Sequence, residues 1–252
     1  MDEKLINLQI GALLHDIGKI VRRAGKGGKN RHSKAGSDYL GNRELLDKEK
    51  YREVYDMIKY HHNEEINEKL KQNDKLDDSS LAYLVYEADN IASGVDRVKY
   101  EDEKIRGNEM DSLNSIFNII RVEKNDLKKT FKLFDFDNNG FNMPTSSSIK
   151  LNNSDYKKII NHIKDNLNTF KENINPEKLA IVLEACCSYF PSSSYVDTPD
   201  ISYYDHVKLT AAVASCMYLY DTEKENNKIN YKDIYFKKNQ KKEREKPKFL
   251  FV

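Results

Sequence analysis

The chain has 252 residues, enough for one large domain or two small ones. Its 42 Lys and Arg balance 41 Asp and Glu, so net charge selects no partner, and any polyanion would have to meet a local basic patch. No apolar run approaches the roughly 20 residues of a membrane helix, the acidic start (Asp2, Glu3) is no secretory signal, and Cys186, Cys187 and Cys216, without CxxC spacing, read as buried, reduced thiols of a cytoplasmic protein.

Residues 4–24 read as the first helix, because Ile6, Ile10, Leu13, Leu14, Ile17 and Val21 recur at helical spacing. Inside that apolar face stands His15-Asp16. An ionisable pair there is costly to bury without compensation, and a divalent metal is the natural one, since imidazole and carboxylate together suit Zn, Mn, Fe or Ni. A His-Asp dipeptide by itself is more often a pair tucked beside a helix end. The basic loop from Gly25 to Arg31 follows, readable equally as a solvated connector or as a phosphate-touching loop. His32 opens a second helix. Residues 48–61 predict a third, with Tyr51, Val54, Tyr55 and Ile58 on one face, ending in His61-His62. A polar loop is expected from Asn63 to Asp78. Residues 79–96 predict a fourth helix whose face is Leu81, Leu84, Val85, Ala88 and Ala92, with Asp89 beside it.

From about residue 100 to 175 the pattern changes. Residues 115–120 and 130–134 suggest short strands that could pair as a hairpin, and Asn139-Gly140 is a turn signal. Asp135-Phe136-Asp137-Asn138-Asn139-Gly140 begins like a calcium loop, but Ser146 stands where the pattern demands Glu, so it reads as a polar turn. Helices resume at Asp155–Glu172, Pro176–Tyr189 and Tyr204–Tyr220, with Pro176 suited to a first helical turn. A charged stretch follows Asp221, and Phe249-Leu250-Phe251-Val252 reads as the start of a buried strand of a longer protein.

Of six histidines, five stand in distinctive places: His15, His32, His61, His62 and His206. His162, flanked by Asn161 and Lys164, reads as a solvated surface residue. A His-Asp pair, a downstream His, a His doublet and an Asp on a later apolar helix, in that order, resemble the HD superfamily of metal-dependent phosphohydrolases. That family usually has a lone His on a helix before the His-Asp pair, and nothing upstream of His15 supplies one. The segment Asp205-His206-Val207-Lys208-Leu209-Thr210-Ala211-Ala212-Val213-Ala214 looks like that helix moved to the other end, which implies a circular permutation. The segments Gly11–Lys19, Glu87–Arg97 and Tyr203–His206 narrow the likeness to the N-terminal region of the large subunit of type III-A CRISPR interference complexes, over roughly residues 5–220.

The resemblance implies a mainly α fold: a circularly permuted HD-domain helical bundle over residues 1–225 with a small β-containing insertion near 100–175, then a charged linker at 226–252 leading into a palm domain. It implies a metal-dependent single-stranded DNA nuclease within an RNA-guided complex, with guide RNA and other subunits as partners, and no membrane. The cofactor would be one or two divalent ions (Mn, Ni, Mg or Zn). His206, His15, Asp16 and Asp89 would hold one, and Asp16, His32, His61 and His62 the other, with Asp16 as the bridge. His15, Asp16 and Lys19 form the implied catalytic group. Lys19 would touch the scissile phosphate, although as a bare sequence fact it is as readily a surface lysine; Arg97 and Lys208 are weaker candidates of the same kind. Asp205 would orient a ligand or cap the helix of His206. The family's cyclase motif Gly-Gly-Asp-Asp is absent from these residues. Two other functions fit the same residues: an HD-type nucleotide phosphohydrolase, and a scaffold with a structural metal.

Overall fold

A computed structural model describes residues 2–72, 76–96, 110–118, 128–133, 142–146, 149–193, 199–224 and 229–237. Nine α-helices occur among them: α1 (Glu3–Leu14), α2 (Ile17–Arg23), α3 (His32–Asn42), α4 (Arg52–Lys59), α5 (Asn63–Leu70), α6 (Ala82–Asp96), α7 (Asn153–Phe170), α8 (Pro176–Cys187) and α9 (Tyr203–Lys224). The fold is mainly α. Its centre is α1, whose Leu8, Ile10, Ala12, Leu13 and Leu14 are buried because α4, α6, α8 and α9 all pack on it. Helix α9, 22 residues long and from the far end of the chain, lies along both α1 and α6.

The first predicted helix is two. It breaks at His15-Asp16, where Asp16 takes φ −96° and ψ 5° and becomes the residue before α2. The His15 ring bonds the Ala12 carbonyl at 2.7 Å, the acceptor that would serve Asp16 in a continuous helix. Helix α2 then ends in a left-handed Gly25 (φ 72°), with Lys26 N–H donating to Val21 O and Gly25 N–H to Arg22 O.

Three other expectations need correction. The loop expected after His62 contains α5. One buried apolar residue, Ile66, anchors it, Glu64 and Glu65 occupy its first turn and Lys69 its last, an arrangement that suits the helix dipole. The expected strands are single antiparallel bridges, Asn114 with Thr130 and Thr130 with Thr145; no regular strand occurs among the described residues. Ile116–Asn118 forms a 3-10 turn instead, because the Ser115 hydroxyl takes the Phe117 N–H and its carbonyl takes that of Asn118. Third, Cys216 is exposed; only Cys186 and Cys187 are buried.

The expected linker also differs near its start. Ile229, Tyr231 and Phe236 are buried, and the Phe236 ring meets Tyr83 and Tyr86 on α6 at 5.8 and 5.6 Å. The packed body thus reaches Phe236. The calcium-like loop at 135–140, Arg97 and residues 249–252 lie outside the described residues.

Candidate metal centre

Seven side chains from five places in the chain converge beneath the α1–α2 break. His15 and Asp16 come from the break itself and His32 from the first residue of α3. His61 and His62 follow α4, Asp89 is in the middle of α6, and His206 is in the first turn of α9. Asp16 is the hub. Its Oδ2 lies 3.4 Å from His15 Nε2 and 3.4 Å from His206 Nε2. Its Oδ1 lies 3.2 Å from His32 Nε2 and 3.7 Å from His61 Nε2. One carboxylate oxygen therefore faces each of two groups. The first is His15, Asp16 and His206, joined by Asp89, whose Oδ1 is 3.7 Å from His15 and 3.2 Å from His206. The second is His32, His61 and His62, with His32 Nε2 at 3.3 Å from His61 Nε2 and 2.7 Å from His62 Nε2.

These residues suit divalent ions on three counts. The His15 ring donates from Nδ1 to Ala12 O, and the His61 ring from Nδ1 to Ile58 O at 2.8 Å, so each directs its other nitrogen inward with a fixed tautomer. Ligand atoms about 2.1 Å from a shared ion stand roughly 3.0–3.4 Å apart, close to the spacings found here. Finally, His15 Nε2 and Asp16 Oδ1 are fully buried polar atoms without a hydrogen bond, an arrangement a folded protein rarely leaves uncompensated.

The charges bear this out. Burial acts most strongly to push the Asp16 carboxyl up, yet Lys19 and then His15 hold it well below the usual range. Asp89 is held down similarly, against burial, by the neighbouring imidazoles of His15 and His206. Burial is also the largest influence on His15 and lowers it, but Asp16 and Asp89 together outweigh burial and raise it from 6.5 to about 9. His61 moves the other way, well below 6.5, through burial and then through His62 and His15; His62 is lowered by burial and His32. A pH dependence follows for the metal-free chain. His15, raised in the folded state, stabilises fully below about 6.5 and loses that contribution as pH rises toward 9. His61 and His62, depressed in the folded state, contribute above 6.5 and lose their contribution as pH falls. Thermal midpoints in EDTA should therefore peak near pH 6.5, and His15→Gln should flatten the alkaline side; a profile unchanged by that substitution would contradict the assignment.

The other predicted residues separate clearly. Lys19 Nζ lies 2.5 Å from Asp16 Oδ2, at the mouth of the site rather than on open surface. Lys208 is exposed, its ammonium 5.4 Å from the Tyr204 ring centre. The residue that caps α9 is Ser202, whose Oγ accepts from the Asp205 N–H and donates in turn to the Asp205 carboxylate. His162 is half-buried on α7 and belongs to neither group. Sequence reasoning missed two supporting residues. Ser93 donates to Asp89 Oδ1 at 3.2 Å, and Glu65 accepts from Ser33 Oγ at 2.9 Å, tying the residue after His32 to the helix after His62. The signal of Ser93 is local, four residues after Asp89 on the same helical face; that of Glu65 is not, since its partner Ser33 lies 32 residues away.

Comparison with known proteins agrees with this geometry. The HD domain family matches residues 1–94, a span that holds every member of the cluster except His206. The CRISPR system single-strand-specific deoxyribonuclease Cas10/Csm1 (subtype III-A) of Enterococcus italicus is 36% identical over 92% of this chain and 31% of its own length. The protein of the same description from Streptococcus thermophilus is 34% identical over 94% of this chain and 30% of its own. This chain therefore spans about a third of the relatives it matches. In fold it is similar to the crystal structure of Csm1 from T. onnurineus, with a TM-score of 0.63 at 24% identity over 86% of this chain and 29% of that one. It is also similar to a Csm1-Csm4 subcomplex of the type III-A CRISPR-Csm interference complex, with a TM-score of 0.61. Residues 1–94 thus match the HD domain family, and about nine-tenths of the chain is similar to about a third of the Cas10/Csm1 subunit of subtype III-A CRISPR systems.

Proposed function

We propose that this chain is the metal-dependent, single-strand-specific deoxyribonuclease domain of a cytoplasmic type III CRISPR interference complex, working beside other subunits and a guide RNA. The observation that carries the reading is the pair of three-residue groups meeting at the two oxygens of Asp16. His15, Asp16, Asp89 and His206 would hold one divalent ion, and Asp16, His32, His61 and His62 a second, drawn from Mn, Ni, Mg or Zn. Bound in that way, the ions would stabilise the attacking and leaving oxygens of an in-line displacement at phosphorus and make water a competent nucleophile at neutral pH.

The chain's own residues do the rest. Asp16 keeps its charge at neutral pH, because Lys19 and His15 outweigh its burial. The Ala12 and Ile58 carbonyls hold the rings of His15 and His61 in one tautomer. Lys19, the partly exposed cation of the cluster, exchanges its contact with Asp16 for a phosphate oxygen as the strand arrives. Hydrolysis consumes one water: its oxygen bonds phosphorus, the bridging P–O bond breaks, and a proton ends on the leaving oxygen. The site is open on one side only. His62 and His32 side chains are 35% and 20% exposed, whereas those of His15, Asp16, His61 and His206 are 2% or less. A purely structural metal site would close its coordination instead.

The test is cleavage of a labelled single strand and of the matching duplex with Mn, Ni or Mg, against EDTA. Metal-dependent loss of the single strand in preference to the duplex is expected; cleavage of free nucleotides alone would favour a nucleotide phosphohydrolase. His206 has its own readout. His206→Asn should lower the number of tightly held ions by one per chain, measured by metal analysis after dialysis. An unchanged number would remove His206 from the ligand set.

A further inference from the structure

The strand must reach the cluster past its exposed edge, and residues next to the ligands of that edge line a groove. The groove has a volume of about 360 Å³ and lies between the loop before α3, the end of α4 and α5. Its lining residues flank the ligands in sequence: Arg31 and Ser33 stand on either side of His32, and Tyr60 immediately precedes His61. Five basic side chains line it against two carboxylates. Those carboxylates are already engaged. Glu65 is buried, accepts from Ser33 Oγ and lies 3.5 Å from Arg31, while Glu68 lies 3.8 Å from the same guanidinium. Arg31, which also pairs with Glu64 at 2.9 Å, thus braces the groove wall.

Lys29, Lys34 and Lys59 are left facing the groove, with no ion pair among the described residues. Lys29 and Lys34 are exposed and Lys59 is half-buried, its ammonium 5.2 Å from the Tyr60 ring centre. Three lysines without counter-charges around one concave surface repel one another and attract a polyanion. Such a groove, tracking a backbone without reading bases, is the usual way to hold a single strand.

We propose that the groove of Lys29, Lys34 and Lys59 binds the phosphates of single-stranded DNA and delivers the strand to the His32–His62 edge. The proposal rests on the nuclease reading and adds the strand's path to it. The acidic neighbours serve by fixing Arg31 and the start of α3, and the lysines carry the contacts.

The test is fluorescence anisotropy of a labelled dT15 oligonucleotide with the whole chain in EDTA, where nothing is cleaved. The triple variant Lys29→Ala/Lys34→Ala/Lys59→Ala should bind about tenfold more weakly at low salt, with the slope of log affinity against log salt reduced by roughly 2, at about 0.7 per lost contact. Lys178→Ala/Lys224→Ala, which removes two lysines outside the groove, should bind as the wild type does. Melting curves check that all variants fold. Equal affinity and slope for the wild type and the triple variant, or no measurable binding by the wild type, would overturn the groove. Binding by the groove without any metal-dependent cleavage would instead count against the nuclease reading alone, so the two failures are distinguishable.

Discussion

Asp16→Asn should reduce single-strand cleavage by at least about a thousandfold, since several kcal/mol of charge stabilisation at about 1.36 kcal/mol per tenfold would be lost with the ions. The substitution keeps the shape of the side chain and removes its charge, so the metal-free fold should survive. Both ligand groups meet at this residue: Oδ2 faces His15 and His206, and Oδ1 faces His32 and His61. Asp89 also reaches the second group, through Oδ2 at 3.9 Å from His62 Nδ1, but Asp16 makes the closer contacts and faces two histidines of that group. Metal analysis should therefore show loss from both groups, in contrast to the single loss expected for His206→Asn. A second consequence is independent of activity. Asp16 is the foremost influence raising His15, so in the metal-free variant the His15 imidazole should titrate below about 9, readable from its ring protons by NMR. A variant that cleaves as fast as the wild type would place the nuclease elsewhere.

Gly18→Ala should be the most damaging single methyl that can be added near the site. A Cβ there would stand 1.7 Å from the His32 carbonyl oxygen and 2.7 Å from Gly36 N, and both are backbone atoms of α3. Gly36 faces back in the same way, with Gly18 N at 2.9 Å from its own would-be Cβ. Helices α2 and α3 thus cross backbone against backbone, and this approach is what holds His32 against Asp16. Neither helix can yield by turning a side chain, so the two must separate. The cost should equal or exceed the roughly 1–3 kcal/mol typical of overpacking; at about 2–4 °C per kcal/mol for a chain of this size, the melting point should fall by roughly 5–10 °C. Cleavage should fall with it, because His32 moves. Gly11→Ala is the control. The atoms nearest its Cβ would belong to the Met57 side chain, the terminal methyl at 2.5 Å, and a methionine end can swing away. A melting point as little changed by Gly18→Ala as by Gly11→Ala would show that the two helices are not locked together there.

Much of this molecule could be read before any coordinates. The apolar faces around Ile10, Leu13 and Leu14 and around Leu84, Val85 and Ala88 announced buried helices, and these residues are buried. Their periodicity reports which side of a helix faces the core, and burial is what that periodicity exists to achieve. The rarity of histidine, with five of six in distinctive positions, marked the cluster. Short elements were less legible. Helix α5 rests on one buried apolar side chain, Ile66, which makes no period, and the Ile116–Phe117 segment carries strand-forming residues that a serine at its start turns aside.

Position along a chain says nothing about distance across 191 residues, so His206 could be tied to His15 in advance only through a resemblance. Its nearness, 3.4 Å to Asp16 and 3.2 Å to Asp89, is decided by α9 packing along α1 and α6. The same is true of the groove, whose walls come from three separate segments. Residue types and spacing determined which side chains can ligate a metal and which faces turn inward, because both are local properties. Which ligands share an ion, and from which side a strand can approach them, depends on how helices cross, and that is settled by close contacts such as Gly18 against His32 that no local pattern encodes.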